Sequence, residues 1–503
     1  MITLNDLKTF FAAQDTKLII VADGEPRVTL KKKDGVISEI PAGGVAVALD
    51  PIARATNATY IARAKNEEEK LVLDKHNKML VGEDGYQYQL RRLFFNEKDM
   101  EDYYYGFSNQ TLWPLCHVAF EEPRFNDDWF KGYKKVNQQF ANAIKEELSG
   151  KKRFVWIHDY QLALVPAFLG KQKDTTVGMF WHIPWPTWEV FRILPYKKEI
   201  LTSMLSCDFL AFHRGYQARN FLNTVERELE ARIDQETGKV YFNKQVTTVT
   251  HLPLGIDTDV VKSLVHKEEQ ETSLGKVIRE MLGFTEPKGT SHPLDTFFDN
   301  YKVIFGVDRL DYTKGIRHRL LALNRFFEKN PQYIGKVVYL GIIAPSREMI
   351  ASYKKVQKES KELAAMINTK YAKNNWKPIH LIHQVFTRED IVNFYHKADV
   401  CVVTPLDDGM NLVSKEFVIA SSLSSDPGML VLSQFAGSAI DLTAALIVNP
   451  YDIEEVAQAI KKGLEMSKNE KNQRIHKMAE MLEEKNVYEW GRDFLRAAIQ
   501  AVR

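Results

Sequence analysis

Cysteine is scarce in this 503-residue chain, with only Cys116, Cys207 and Cys401, widely spaced. That excludes a disulfide framework and a cysteine-built zinc cluster. Cys207 and Cys401 lie in apolar runs, MLSCDFLAF and DVCVVTP, and read as small buried hydrophobes. Neither sign of charge is in excess, at 68 Lys and Arg against 66 Asp and Glu. A balanced chain offers no field to hold a nucleic acid or an anionic membrane. No apolar run approaches the ~20 residues of a membrane span. The opening MITLNDLKTFFAAQDTK carries acidic side chains and no long apolar core, which argues against a secretory signal. The 13 histidines show no metal-ligand spacing, and no short-period repeat or low-complexity segment occurs. What remains is a globular protein, expected in a reducing cytoplasm, whose length suits two to four domains.

Short β-branched or aromatic runs recur, each followed by a longer stretch of helical pattern. One series is Leu18–Ala22, Phe154–Ile157, Val177–Trp181, Phe209–Phe212 and Val246–Thr250. A second is Val303–Val307, Val337–Ile343, Ile379–Ile382, Val400–Thr404, Met429–Ser433 and Leu446–Val448. Strands without polar alternation are buried on both faces, and in alternation with helices they imply parallel sheets. The fold class is therefore α/β, with two doubly wound domains. The break is expected after HLPLGID, giving an N-terminal domain over 1–255 and a C-terminal one over 256–482. Between them, 267–293 is polar with a helical middle. The stretch 483–503 reads as an amphipathic helix with Trp490, Phe494, Leu495 and Ala498 on one side, expected to pack back on the N-terminal domain.

In open parallel sheets, ligands bind beyond the carboxyl ends of the strands. Asp159, His182, Arg309 and Asp408 each fall just past an apolar strand. Four such groups on two sheets point to a cleft between the domains. In GVDRLDYTKG, Arg309 and Lys314 lie on a strand-to-helix turn, a fork of donors and a point charge suited to a diphosphate. The pair could instead be neutralised by Asp308 or Asp311. In PLDDGMNLVSKEF, Gly409 permits close backbone approach, and Met410, Asn411 and Leu412 enter a helix whose first amides suit an anion. Asp408 precedes that helix and Glu416 is expected about two turns along it, each able to accept a hydroxyl's hydrogen bond. Asp408 could also be simply a helix cap. The aromatics Trp181, Trp185 and Trp188 read as packing rather than a sugar platform.

WIHDYQLALVPAFL, FWHIPWPTWEVFRILP, VDRLDYTKGI, PLDDGMNLVSKEF, LSQFAGSA and ALIVNPYDIEEVAQAI occur in this order. Together they resemble the retaining glycosyltransferases of the trehalose-6-phosphate synthase family, from about Leu18 to near the end of the chain. The resemblance implies the GT-B fold, two Rossmann-like domains facing a cleft. It implies transfer of glucose from a nucleotide-glucose to a phosphorylated acceptor, glucose 6-phosphate first, giving trehalose 6-phosphate. Glycerol 3-phosphate, the acceptor of the related glucosylglycerol-phosphate synthases, is the rival, and a non-catalytic regulatory subunit is the alternative of another class.

The implied site residues follow by position. Arg309 and Lys314 match the diphosphate pair, Asp408 the carboxylate on the glucose hydroxyls, and Glu416 the one on the ribose. Met410, Asn411 and Leu412 match backbone contacts to the donor, His182 a histidine that reaches its sugar, and Gly44 the glycine loop that closes over it. Tyr104, Trp113, Asp159 and Arg347 match residues that hold the acceptor. The implied chemistry is front-face attack with retention, without a protein nucleophile, a cofactor or an essential metal. The partners implied are small-molecule substrates, and relatives of this kind assemble as homo-oligomers. The chain departs from the family at three places. Where a phosphate-binding arginine usually closes the first strand, it has Ala22, Asp23 and Gly24, with Arg27 nearby. A family tryptophan is replaced by Arg63, and the arginine before Asp408 by Asp407. Arg27 and Arg63 are the candidates to supply the missing charge.

Overall fold

The computed structural model describes residues 1–32, 35–39, 44–83, 85–150, 152–265, 293–374 and 376–501. The segment 267–293, with the helix expected in its middle, lies outside them apart from residue 293. The chain divides into two compact units, Met1–Gly255 with Lys485–Arg503, and Ile256–Glu484.

The strands of the first unit are β1 (Lys17–Ala22), β2 (Val28–Lys32), β3 (Gly35–Glu39), β4 (Thr59–Arg63), β5 (Lys78–Glu83), β6 (Tyr86–Leu93), β7 (Arg153–His158), β8 (Thr175–Phe180), β9 (Phe209–Phe212), β10 (Arg232–Asp234), β11 (Lys239–Phe242) and β12 (Gln245–His251). Ten of them form one sheet in the order β10-β11-β12-β9-β8-β7-β1-β4-β6-β5, and β2 and β3 pair as a separate hairpin. From β12 to β6 every pairing is parallel, and antiparallel strands close both ends. The chain runs from β1 outward to β4 and β6, and later from β7 outward to β8 and β9. The order thus reverses between β1 and β7, a topological switch point.

The second unit holds β13 (Lys302–Arg309), β14 (Val337–Ala344), β15 (Ile379–Ile382), β16 (Val400–Val403), β17 (Met429–Ser433) and β18 (Leu446–Val448). They form an all-parallel sheet in the order β15-β14-β13-β16-β17-β18. The switch point falls between β13 and β16. Ile304, Phe305, Leu340, Val402 and Leu430 fill its sheet. Leu320, Leu323, Phe326 and Phe327 cover it from the helix Ile316–Lys329.

The sequence pattern does not reveal β4, β5 and β6. In β6 (YQYQLRRL) buried and half-buried residues alternate, so it lacks the continuous apolar run that marks the others. The terminal helix forms over Val487–Ala501 and packs in the first unit, on the face of β7, β8 and β9. Phe494 stacks on Trp156 at 4.2 Å between ring centroids, and Trp490 lies 5.0 Å from the same ring. Gly178 on β8 makes room for this: a Cβ there would stand 3.1 Å from the Phe494 ring.

A 12-residue π-helical stretch, Glu101–Leu112, packs on the long helix Asp127–Glu147. Two glycines allow the approach. A Cβ on Gly106 would sit 2.6 Å from the Trp129 ring, and one on Gly132 would sit 2.3 Å from Asp102 Cβ. π-Helical turns are uncommon and concentrate at functional sites. This one carries Tyr103 and Tyr104.

Phe494→Ala empties the contact between the terminal helix and the sheet. It is expected to lower the unfolding free energy by about 3–5 kcal/mol, measured by denaturant unfolding followed through tryptophan fluorescence. A change below ~1 kcal/mol would show that the helix contributes little there.

Candidate functional site

In the second unit, β13 ends at Arg309, which is exposed. A 3₁₀ turn, Tyr312–Lys314, follows, and Gly315 (φ 66°) leads into the next helix. The tightness of this turn demands glycine, because a Cβ on Gly315 would stand 2.2 Å from the Thr404 carbonyl oxygen. Asp311 Oδ1 accepts from the Thr313 amide at 3.0 Å, and Leu406 N donates to Thr313 O at 2.7 Å. The turn after β13 is thereby tied to the loop after β16. Lys314 Nζ meets Asp408 Oδ2 at 2.6 Å, and Asn411 Nδ2 donates to the same oxygen at 3.1 Å. Asp408 is therefore more than a cap, since it pairs with a cation 94 residues away.

Neither nearby aspartate takes Lys314. Asp308 pairs with Arg319 at 2.6 Å, both buried, and Arg319 also donates to Thr404 Oγ1 at 3.0 Å and to Lys314 O at 3.3 Å. Burial prevails over Arg319 and Lys314 and raises the Asp308 carboxyl above its ordinary value. Asp311 goes the other way. Burial would raise it, but Arg347, then Arg309 and Lys314, outweigh that and hold it below the usual range. Arg347 Nη1 lies 3.3 Å from Asp311 Oδ2 and 2.5 Å from the Tyr353 hydroxyl, buried and in the left-handed region at φ 48°.

Asn411 has φ 77° and caps the helix Leu412–Ser422 by accepting from Ser414 N. With its φ outside the helical range, Asn411 excludes itself and Met410 from the helix. Glu416 is the fifth helical residue, a little over one turn in rather than two. Its Oε1 receives both Arg388 Nη2 at 2.7 Å and Nε at 3.1 Å, from the start of the helix Arg388–Lys397. Arg388 was not foreseen, since no spacing in the sequence links it to Glu416. The loop 434–438 after β17 was also missed as a support. Gly437 N donates to Asp408 O at 3.0 Å, Ser438 N to Met410 O at 2.6 Å, and Ser414 and Ser438 hydroxyls meet at 2.8 Å. The glycine in LSQFAGSA was the available signal: a Cβ on Gly437 would be 2.0 Å from Gly409 O.

In the first unit, Asp159 follows β7 with φ 74° and ψ 171°, a region that side-chain-bearing residues rarely occupy. Its Oδ1 accepts from the His182 backbone amide at 3.0 Å. His182 follows β8 and is buried between two other histidines. His158 Nδ1 lies 2.9 Å from His182 Nε2, and His182 Nδ1 lies 3.3 Å from His213 Nε2. Trp113 is buried 5.7 Å from the ring of Tyr160, the residue after Asp159. Gly44 is exposed at φ 95° and caps the helix Val45–Thr56, with no atom within 4 Å of a Cβ built on it. The residues before it, 40–43, lie outside those described.

Around β1 the chain has built an ion-pair network. Arg63 is clamped by Asp23, Nε to Oδ1 at 2.9 Å and Nη2 to Oδ2 at 3.0 Å, and the Tyr103 hydroxyl donates to Oδ1 at 2.9 Å. The guanidinium also lies over the Tyr104 ring, 4.9 Å from its centroid. The charge that Arg63 was expected to lend is thus matched by a carboxylate two residues beyond Val21. Arg27 differs, since its buried Nε has no hydrogen-bond partner among the described residues. Deeper in, Arg92 Nε meets Glu25 Oε2 at 2.7 Å and Glu69 Oε2 at 3.3 Å, all fully buried. Burial outweighs Arg92, and Glu69 adds to it, so that the Glu25 carboxyl is pushed up to about 8. Among the described residues no group of three or more His, Cys, Asp and Glu could hold a metal ion, and no helix is long and apolar enough to cross a membrane.

Two outcomes follow. Gly437→Ala is expected to lower stability by about 1–3 kcal/mol and to open the 405–411 loop to limited proteolysis; an unchanged digestion pattern would contradict the close packing. Glu25 binds its proton more tightly folded than unfolded. Its contribution to stability is therefore present below about 4.5 and lost as pH rises towards about 8. The Tm of Glu25→Gln relative to the parent should accordingly rise between pH 5 and pH 8.5, and a flat difference would refute the shift.

The model of glycosyltransferase family 20 matches residues 16–500. The chain is 36% identical over 419 residues to the alpha,alpha-trehalose-phosphate synthase [UDP-forming] of Pichia angusta, covering 80% of this chain and 82% of that one. A solved E. coli trehalose-6-phosphate structure bound with UDP-2-fluoro glucose superposes at TM-score 0.82 and 29% identity, over 96% of this chain and 99% of that one. The alpha,alpha-trehalose-phosphate synthase (UDP-forming) of Burkholderia xenovorans in complex with glucose-6-phosphate gives 0.81 and 29%, with the same coverage. With nearly its whole length matched and the sheets of two doubly wound units in place, the chain belongs to glycosyltransferase family 20, retaining glycosyltransferases of the GT-B fold.

Proposed function

We propose that this chain transfers glucose from UDP-glucose to glucose 6-phosphate with retention, releasing UDP and forming trehalose 6-phosphate. The observation that carries the reading is the cluster of Lys314, Asp408 and Asn411 at the switch point of an all-parallel sheet, in a chain of this family. The relatives' names supply the substrates, since the Pichia angusta and Burkholderia xenovorans proteins are UDP-forming. Arg309 and Lys314 face the diphosphate, where negative charge grows as the glycosidic bond breaks. Fixed cations there stabilise the transition state more than the ground state. Asp408 and Glu416 accept hydrogen bonds from sugar and ribose hydroxyls, Met410, Asn411 and Leu412 offer backbone groups, and Gly44 begins the segment over the donor. The acceptor's hydroxyl oxygen bonds to the anomeric carbon as the bond to phosphate breaks, and its proton passes to the departing phosphate oxygen. The protein contributes position and charge, with neither a nucleophile nor an essential metal.

For the acceptor we assign Tyr104, Trp113, Asp159 and Arg347. Of the two substitutes for the family's phosphate-binding arginine, Arg27 is the better supported, because Arg63 is matched by Asp23. A cytoplasmic location fits a reaction on nucleotide and sugar phosphates.

The test follows UDP release from UDP-glucose with glucose 6-phosphate, glycerol 3-phosphate or free glucose as acceptor, with and without EDTA. Turnover with glucose 6-phosphate, unaffected by EDTA, is expected. Arg309→Ala and Lys314→Ala should each lower kcat by about 10²-fold or more, and Arg27→Ala should raise KM for glucose 6-phosphate about tenfold. Turnover with glycerol 3-phosphate or free glucose alone would refute the acceptor. Unchanged turnover in the Arg309 and Lys314 variants would refute the clamp.

A further inference from the structure

Glu416 is held by one of its two oxygens only. It stands on the helix Leu412–Ser422 at 6% exposure, and the Arg388 guanidinium reaches it from the start of the helix Arg388–Lys397. Arg388 Nη2 donates at 2.7 Å and Nε at 3.1 Å, both to Oε1. Arginine and carboxylate frequently meet fork to fork, with one N–H on each oxygen. Here the fork closes on a single oxygen, and Oε2 accepts no hydrogen bond among the described residues. A carboxylate only accepts, with about two lone-pair sites on each oxygen. Two N–H groups take those of Oε1, and those of Oε2 remain. The vicinal hydroxyls of a ribose, both donating, need that number.

Both ends of the contact are set by the fold. The helix Arg388–Lys397 begins at a closed capping box, in which Thr387 Oγ1 donates to Asp390 Oδ2 at 2.8 Å and accepts from Asp390 N at 3.1 Å. About two turns further along it, the buried Tyr395 ring meets Phe417, the residue after Glu416, edge to face at 6.1 Å between centroids. The two helices thus meet at a second point, so the direction of the guanidinium does not depend on the ion pair alone.

We propose that Arg388 is a positioning residue: by engaging Oε1 with two N–H groups it turns Oε2 to the nucleoside, and so sets a preference for ribose over 2′-deoxyribose. It acts through Glu416, and the inference rests on the assignment of that carboxylate to the ribose above. Without Arg388 the carboxylate turns about its Cγ–Cδ bond, and ordering it against the 2′-hydroxyl costs entropy that the parent has already lost.

Titration calorimetry of UDP and 2′-deoxy-UDP reads the preference as a ratio of dissociation constants. In the parent, UDP is expected to bind about tenfold tighter, the scale of one hydrogen bond to a charged group. Arg388→Leu removes both donors, and the ratio is expected to fall to within about threefold. Glu416→Ala should bring it to a similar value. A pair that only joins two helices would, on losing Arg388, lower the Tm and weaken both nucleotides alike. A ratio lost in Glu416→Ala but kept in Arg388→Leu therefore overturns the proposal alone. A ratio near one in the parent, or unchanged in Glu416→Ala, removes the ribose assignment and the proposal with it. If the leucine variant does not fold, Arg388→Gln, which keeps at most one donor to Oε1, carries the test. Its ratio is expected to fall at least about twofold, and an unchanged ratio overturns the proposal.

Discussion

The ion pair between Lys314 and Asp408 is the contact on which the site of the second unit depends. It joins the turn after β13 to the loop after β16, the two strands that flank the reversal of strand order. Parallel strands deliver both loops to the same edge, and the switch point leaves room between their crossovers. Everything nearby braces that meeting. Gly315 lets the turn come within contact of Thr404, Arg319 holds Asp308, Thr404 and the Lys314 carbonyl together, and the Gly437–Ser438 backbone fastens the Asp408 loop from the other side. A lysine with a carboxylate partner is already oriented, with less side-chain freedom left to lose when an anion arrives.

The first unit solves a different problem at its own switch point. Asp23 follows β1 just before Gly24, where the family resemblance leads one to expect an arginine, and it pairs with Arg63 on the neighbouring strand β4. The two form a neutral pair with Tyr103 and Tyr104 against it. Glu25, Glu69 and Arg92 extend the network inward. Asp159, Arg347 and Asn411 all hold positive φ without being glycine, a cost of roughly 1–3 kcal/mol each. Such a cost persists where a fixed geometry is worth more than local stability.

Much of this was legible in the sequence because fully buried parallel strands are continuous apolar runs. β9, β15, β17 and β18 have the bounds their sequences suggest, and Asp159 and His182 fall just past strand ends as expected. β6 was not legible, since a half-exposed strand alternates with polar residues as many loops do. The π-helical stretch was hidden for another reason: its side-chain periodicity has no simple signature, and only the facing glycines Gly106 and Gly132 betray its packing. Pairings distant in sequence were the least visible. Neither Arg388 with Glu416 nor Asp23 with Arg63 follows from spacing, because the fold alone brings them together.

Whether the Lys314–Asp408 pair belongs to a preorganised diphosphate site is tested most directly by titration calorimetry of UDP into the parent protein, Lys314→Met and Asp408→Asn. A preorganised site requires that Lys314→Met weaken UDP binding about tenfold or more, at the scale of a charge-assisted hydrogen bond. Asp408→Asn, whose carboxylate is assigned to the sugar, should change it by no more than about threefold. Equal UDP affinity in the parent and Lys314→Met would show that the lysine does not hold the diphosphate.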